Sequence, residues 1–302
     1  MAKRIVRAIG WSVAAVAGLI IVALGAVYVV SSRRLAEQYA VTPTPLAIPT
    51  DSASIERGRH LAESRLGCAD CHGPDLGGKA VVEDAMFGHF IAPNLTRGAG
   101  GIGATYTDAD WVRSVRHGIR PNGRPLVFMP SGEFSRLSEE DLGDVLAYVK
   151  QAPPVERELP STRPGPIGRA LVTFEPSMVP ARVIDHSAAF SEAPAQAATV
   201  EYGGYLAATG GCKGCHGPAL DGVGGGGEPG SRPSDLTPSG PTASWSEADF
   251  RNTLRTGTRP DGTTLGDEMP WRTMGKMTDE ELGAIFRYLR SLPGRAATRA
   301  KA

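Results

Sequence analysis

At 302 residues, with 41% hydrophobic and 21% charged side chains, the chain is long enough for two domains of ordinary size and falls outside the wholly disordered and the polytopic membrane classes. Its 38 glycines and 24 prolines predict a loop-rich fold, and 6% aromatic residues are too few for a large β-sandwich core. Formal net charge is zero, but five of the 32 bases stand in residues 1–34 among no acids; the other 27 face 32 acids, and this mildly acidic remainder lacks the basic stripe that a nucleic-acid partner requires.

From Ala8 to Val30 runs an uncharged, apolar stretch, preceded by three bases and followed by Ser-Ser-Arg-Arg. It is long enough to span a bilayer and exceeds the roughly 7–15 apolar residues of a cleaved signal peptide. Residues 1–34 are therefore expected to be an uncleaved single-pass anchor, followed by a linker over 35–51. The flanking charges only weakly favour an N-inside orientation.

A short helix carrying Gly58 leads into CADCH, in which Cys68 and Cys71 are followed at once by His72. The same pattern returns as CKGCH with Cys212, Cys215 and His216, so all four cysteines belong to C-x-x-C-H motifs. Two thiols at this spacing can form thioethers with both vinyl groups of one haem, while the next residue offers its imidazole to the iron. A four-thiolate zinc site fits less well, since such pairs usually lie roughly 15–20 residues apart and need no histidine. Disulfides or a thioredoxin-like pair also leave both histidines unexplained.

The two halves repeat. RGRHLAESRLGCADCHGPDLGG answers YGGYLAATGGCKGCHGPALDGVG, PNLT answers PSDLT, and YTDADWVRSVRHGIRPNG answers WSEADFRNTLRTGTRPDG. In this register Met129-Pro130 falls on Met269-Pro270, each ahead of a final helix; the other methionines aligned here, Met86, Met178, Met274 and Met277, have no methionine counterpart. Thioether ligation opposite histidine raises the potential of a haem iron and suits electron transfer. Met129 and Met269 are thus the candidate sixth ligands. His60 and His117 fall on Gly204 and Thr256 and have no repeated role, His89 is the alternative ligand, and His186 reads as a solvated linker residue.

Further pairs carry smaller expectations. A loop carbonyl at Pro93 or Pro233 could orient the ligating imidazole. Gly58 and Gly203 would let the final helix of each half cross closely. Arg116 and Arg255, with Arg120 and Arg259 after them, could pair with haem propionates. Ser138 and Thr278 read as helix starts of the capping-box type, and Leu142, Val145, Leu146 and Val149, like Leu282, Ile285, Phe286 and Leu289, form one apolar stripe each. The GGGG run at 224–227 lacks the Lys-Ser/Thr of a phosphate loop and reads as plain flexibility. The predicted organisation is domain 1 over 52–151, a proline-rich strap over 152–198 partly packed on a domain surface, domain 2 over 199–293, and a disordered tail over 294–302.

CADCHGPDLGG, APNLT, GGIG, TDADWVRSVRHG, FMPSGEF, LSEEDLGDVLAYVK and the following PPVER resemble the cytochrome c subunits of membrane-bound bacterial alcohol, aldehyde and sugar-acid dehydrogenases. The resemblance covers about residues 54–166 closely and 200–292 as a more general class I cytochrome c domain. It implies a mostly α-helical fold, two tandem class I domains after the transmembrane helix, and two covalently bound haem c groups. It also implies a place on the periplasmic side of the bacterial inner membrane, with a dehydrogenase as electron donor and an oxidase or quinone-linked acceptor. Those subunits typically carry three haem motifs, whereas this chain has two. The expected role is electron transfer without catalysis; the alternative is a dihaem enzyme such as a peroxidase, which needs an open iron position. A thiosulfate dehydrogenase with a cysteine ligand would need a fifth cysteine, and a non-redox scaffold would carry no reducible haem.

Overall fold

The structure is a computed structural model that describes residues 2–225 and 233–295. Part of the glycine run at 224–227 and most of the expected tail lie outside the described residues. The chain opens with α1 (Ala2–Ala36), whose apolar part is exposed along its length and is long and apolar enough to cross a membrane. At 1.5 Å per residue the stretch 8–30 measures about 35 Å, slightly more than a hydrocarbon core.

The first half follows as α2 (Ser52–Ser64), α3 (Cys68–His72), β1 (Lys79–Asp84), β2 (Gly88–Ala92), α4 (Asp108–His117), α5 (Ser131–Phe134) and α6 (Glu139–Lys150). The strap contributes β3 (Arg163–Pro164), α7 (Pro166–Phe174) and two 3-10 turns. The second half repeats the helices as α8 (Val200–Thr209), α9 (Cys212–His216), α10 (Glu247–Thr256), α11 (Trp271–Met274) and α12 (Asp279–Ser291). The mostly helical expectation holds. The small antiparallel sheet β1-β2-β3 was not anticipated; it borrows its third strand from the strap, which a reading of residues 79–92 alone could not reveal.

Each half is built on one close crossing, α2 on α6 and α8 on α12. A Cβ added at Gly58 would stand 1.9 Å from the Asp144 carbonyl oxygen, and one at Gly203 would stand 2.0 Å from that of Ala284. Glycine is required there because backbone meets backbone. The final helices then bury their stripes: Leu142, Val145, Leu146 and Val149 join Leu61, Trp111 and Leu137, while Leu282, Ile285 and Leu289 join Leu206, Leu220 and Phe250. Each fully buried Leu is worth about 1.5–3 kcal/mol.

Between them the strap is ordered by the first half and by α1. Val172, Met178 and Val179 bury themselves against Phe90 of β2. The Arg116 guanidinium donates to the carbonyls of Ser135, Ala188 and Ala189 and stacks 4.0 Å over Phe190.

Candidate haem sites

Both C-x-x-C-H motifs form a single helical turn, α3 and α9, each entered through a left-handed glycine, Gly67 or Gly211. No disulfide links the cysteines. Burial in apolar surroundings pushes the Cys68 thiol up to about 12 and the Cys212 thiol up to about 11. Among the described residues no group of three or more His, Cys, Asp or Glu is gathered as a metal cluster, so the two pairs are not brought together as a four-sulfur site.

The imidazoles are held the same way twice. His72 Nδ1 lies 2.8 Å from the Pro93 carbonyl oxygen, and His216 Nδ1 lies 2.8 Å from that of Ser234. A carbonyl can only accept, so Nδ1 carries the proton and Nε2 keeps its lone pair free for a metal. Burial also holds both imidazoles below their ordinary range, in the neutral form. Pro93 serves as expected, but its partner in the second half is Ser234 and not Pro233. PSDLT has one residue more than PNLT, and the register is set by Leu95 and Leu236, whose amides bond the carbonyls of Leu76 (2.8 Å) and Leu220 (2.9 Å).

Those two leucines are bent into the left-handed region, at φ 54° and 59°, and are buried. Such a conformation costs about 1–3 kcal/mol for a side-chain-bearing residue. It turns each carbonyl towards the loop that orients the histidine. Nothing in the sequence distinguishes these leucines from ordinary core residues, apart from their recurrence.

Met129 and Cys68 pack against one core cluster together with Trp111; Met269 and Cys212 pack against the other together with Trp271. The indole N–H groups of Trp111 and Trp271 are buried and have no protein partner. Each half therefore brings a cysteine, a methionine and an orphaned donor to one core cluster, and its attachment turn supplies an imidazole with a bare Nε2. This set fits a haem c: thioethers at Cys68 and Cys71 or at Cys212 and Cys215, nitrogen from His72 or His216, sulfur from Met129 or Met269, and an N–H donor for a propionate.

The arginines and remaining histidines are placed otherwise than expected. Arg116 is consumed by the strap, and Arg255 donates to the carbonyls of Gly275 and Met277 and to Asp279, so neither guanidinium waits for a propionate. Arg259 donates to Thr263 and Thr264, while Arg120 is exposed. His89 is exposed on β2 beside Glu83. His117 is buried, and its Nδ1 lies 3.1 Å from that of His186, which donates from Nε2 to the Ala181 carbonyl; burial and this neighbour depress His117 to about 4. His186 is thus a packing partner of the strap and not a solvated residue.

His60 has a repeated role after all. In the register set by Gly58/Gly203 and Leu61/Leu206 its counterpart is Tyr205, and the two do matching work across the seam between the halves. His60 Nε2 meets Glu281 at 2.9 Å, while the Tyr205 hydroxyl donates to Asp141 at 2.7 Å. Glu281 and Asp141 are equivalent first-turn acids of α12 and α6. Arg65 adds a buried 2.6 Å bond to Asp141, and the Ser138 amide donates to the Tyr205 oxygen at 3.0 Å. The Asp141 carboxylate is therefore taken by Arg65 and by Tyr205 across the seam, and of Ser138 and Thr278 it is Thr278 that completes a reciprocal capping box.

The crossing extends to the motifs themselves. Thr273 of α11, just beyond Met269, donates to Asp70 inside CADCH at 2.7 Å. In the mirrored position Glu133 of α5, just beyond Met129, lies against CKGCH: a Cβ at Gly214 would stand 3.5 Å from its Oε1. Each attachment turn touches the short helix that follows the other half's methionine, in a pseudo-two-fold arrangement.

Residues 53–149 match the family model of cytochrome c oxidase, cbb3-type, subunit III, and residues 200–293 match that of cytochrome c. The chain is 33% identical over 296 residues to the cytochrome c subunit of the quinone alcohol dehydrogenase of Gluconacetobacter polyoxogenes, covering 84% of this chain and 58% of that protein. It is 29% identical to the fructose dehydrogenase cytochrome subunit of Gluconobacter japonicus (84% and 55%) and 28% identical to the gluconate 2-dehydrogenase cytochrome c subunit of Pantoea cypripedii (82% and 62%). The chain thus spans somewhat more than half the length of these relatives. Two matched units, one on each repeat and each holding the same cysteine, histidine and methionine set, make the chain a c-type cytochrome with two cytochrome c domains, similar to the cytochrome c subunits of dehydrogenases.

Proposed function

We propose that this protein is a membrane-anchored dihaem cytochrome c that carries electrons from a periplasmic dehydrogenase to a respiratory acceptor, either an oxidase or a quinone-linked complex. The observation that carries the reading is the crossed seam, which sets each attachment turn against the other half and supports passage from one site to the next within one chain. Haem c, when attached, supplies a one-electron Fe(II)/Fe(III) couple at each site.

The chain's own residues do the rest. Cys68, Cys71, Cys212 and Cys215 would fix the haems covalently, His72 and His216 would offer Nε2 to the iron, and Met129 and Met269 would offer sulfur. The carbonyls of Pro93 and Ser234 hold the imidazole tautomer. One electron enters from the donor for each that leaves to the acceptor, and no protein bond is made or broken. The matched methionines and the relatives' names support a carrier and lend nothing to a peroxidase. α1 supports the single-pass anchor, and the proposal sets the haem domains on the periplasmic side of it.

The test is reduction of protein matured in cells competent for haem c attachment. Alcohol, sugar and sugar-acid dehydrogenases are each supplied with substrate, and the reduced haem bands are followed. Reduction of both haems by one of these donors is expected. A protein reduced by dithionite but by no such dehydrogenase would leave the donor assignment wrong.

A further inference from the structure

The amphipathic helix of the strap, α7, is turned the wrong way for a helix that serves only packing. Its inner face, Gly168 and Val172, lies on the core that contains Phe90. On its outer side Ile167 and Phe174, two turns apart, are apolar and exposed, 36% and 73%, while Leu171 is partly buried against the same core as Val172. A face of this kind requires an occupant.

What α7 is tied to identifies the occupant. Its contacts run along the end of α1: Arg169 donates to the hydroxyls of Ser31 and Ser32, both at 3.0 Å, and sits 4.1 Å over the Tyr28 ring. One turn later the Thr173 hydroxyl lies 3.4 Å from the carbonyl of Val27, while Arg34 reaches back to the Val172 carbonyl at 3.0 Å. Val27 is three residues inside the last apolar residue of α1, Val30, which places the end of α7 about 4.5 Å below the edge of the apolar stretch. Interfacial helices bury their apolar faces to about 5–10 Å. Arg33, Arg34 and Arg169 stand above that level, where anionic headgroups would meet them, and the carboxylate of Glu175 limits the depth to a shallow one.

We infer that α7 is a second membrane contact, a ledge whose Phe174 enters the outer edge of the lipid bilayer beside α1 and so fixes the tilt of the haem domains over the membrane. This inference rests on the reading of α1 as a membrane anchor. With one spanning helix alone, the domains could swing about the chain that leaves it; a second contact removes that freedom.

The test uses the full, haem-loaded chain in nanodiscs of phosphatidylcholine and phosphatidylglycerol. A nitroxide is attached in turn to Val16→Cys, Phe174→Cys and Asp267→Cys, and its collision with oxygen and with a water-soluble nickel chelate is compared. The expected oxygen-to-nickel ratio at 174 is several-fold above that at 267 and below that at 16. A label at 174 as open to nickel as the one at 267, while 16 stays lipidic, overturns the ledge and leaves the anchor standing. A label at 174 shielded from both reagents means that protein covers the face, and also overturns the ledge. Nickel access at 16 sinks the anchor reading and the ledge with it.

Discussion

At the scale of single residues, the tautomer of two imidazoles is decided by two carbonyls, and the candidate sulfur ligands stand in the same clusters as the first cysteine of each motif. Met129→Ala and Met269→Ala should each remove half of the near-infrared methionine-to-iron absorption and leave the other half intact. Retention of the full band in either variant would displace that methionine from the iron. Tyr205→Phe removes the hydroxyl that serves Asp141 and the Ser138 amide at once. An unsatisfied buried group costs about 1–3 kcal/mol, and the loss should be read as a lower unfolding midpoint in urea at unchanged slope.

Among elements, the decisive contact is helix backbone on helix backbone. Gly58→Ala and Gly203→Ala would place a methyl within 2.0 Å of a carbonyl oxygen of the final helix, and neither partner can yield without the helix moving. Overpacking of this kind costs about 1–3 kcal/mol or more, so each variant should melt several degrees lower, with the damage confined to its own half. Hydrogen exchange resolved by segment would check this: faster exchange in α6 for Gly58→Ala and in α12 for Gly203→Ala. Equal loss in both halves would mean that the domains unfold as one unit.

For the molecule as a whole, the seam is tuned to acidity. The hydrogen bond with Glu281 raises His60 above its ordinary 6.5 against the opposing effect of burial. Burial alone would raise Glu281, but the bonds from His60 and the Thr278 amide outweigh it and hold the carboxyl below 4.5. The His60 contribution is complete below 6.5 and is lost as pH rises through the raised value; the Glu281 contribution is complete above 4.5 and is lost as pH falls through the depressed one. Because His60 is one-third exposed, the pair is worth about 1 kcal/mol or less. Protection of α2 and α12 against hydrogen exchange should therefore peak between these limits and weaken in alkali, and His60→Ala should flatten the alkaline side of the profile.

The order of chemistry along the chain was legible from residues alone: both attachment motifs, the paired methionines, the apolar span of α1 and the final helices follow from local spacing, which is a property of the chain before it folds. Even the close approach at Gly58 and Gly203 was readable, because a repeated glycine in a helix has few other uses. The tertiary structure alone decided what the long-range partners are. Arg116 and His186 belong to the strap, Ser234 takes the place expected of Pro233, and Asp141 leaves its own helix cap for Arg65 and Tyr205. Hydrogen bonds are short and directional, so a polar side chain answers to whichever group the fold carries within 3 Å of it, and sequence spacing does not encode that distance.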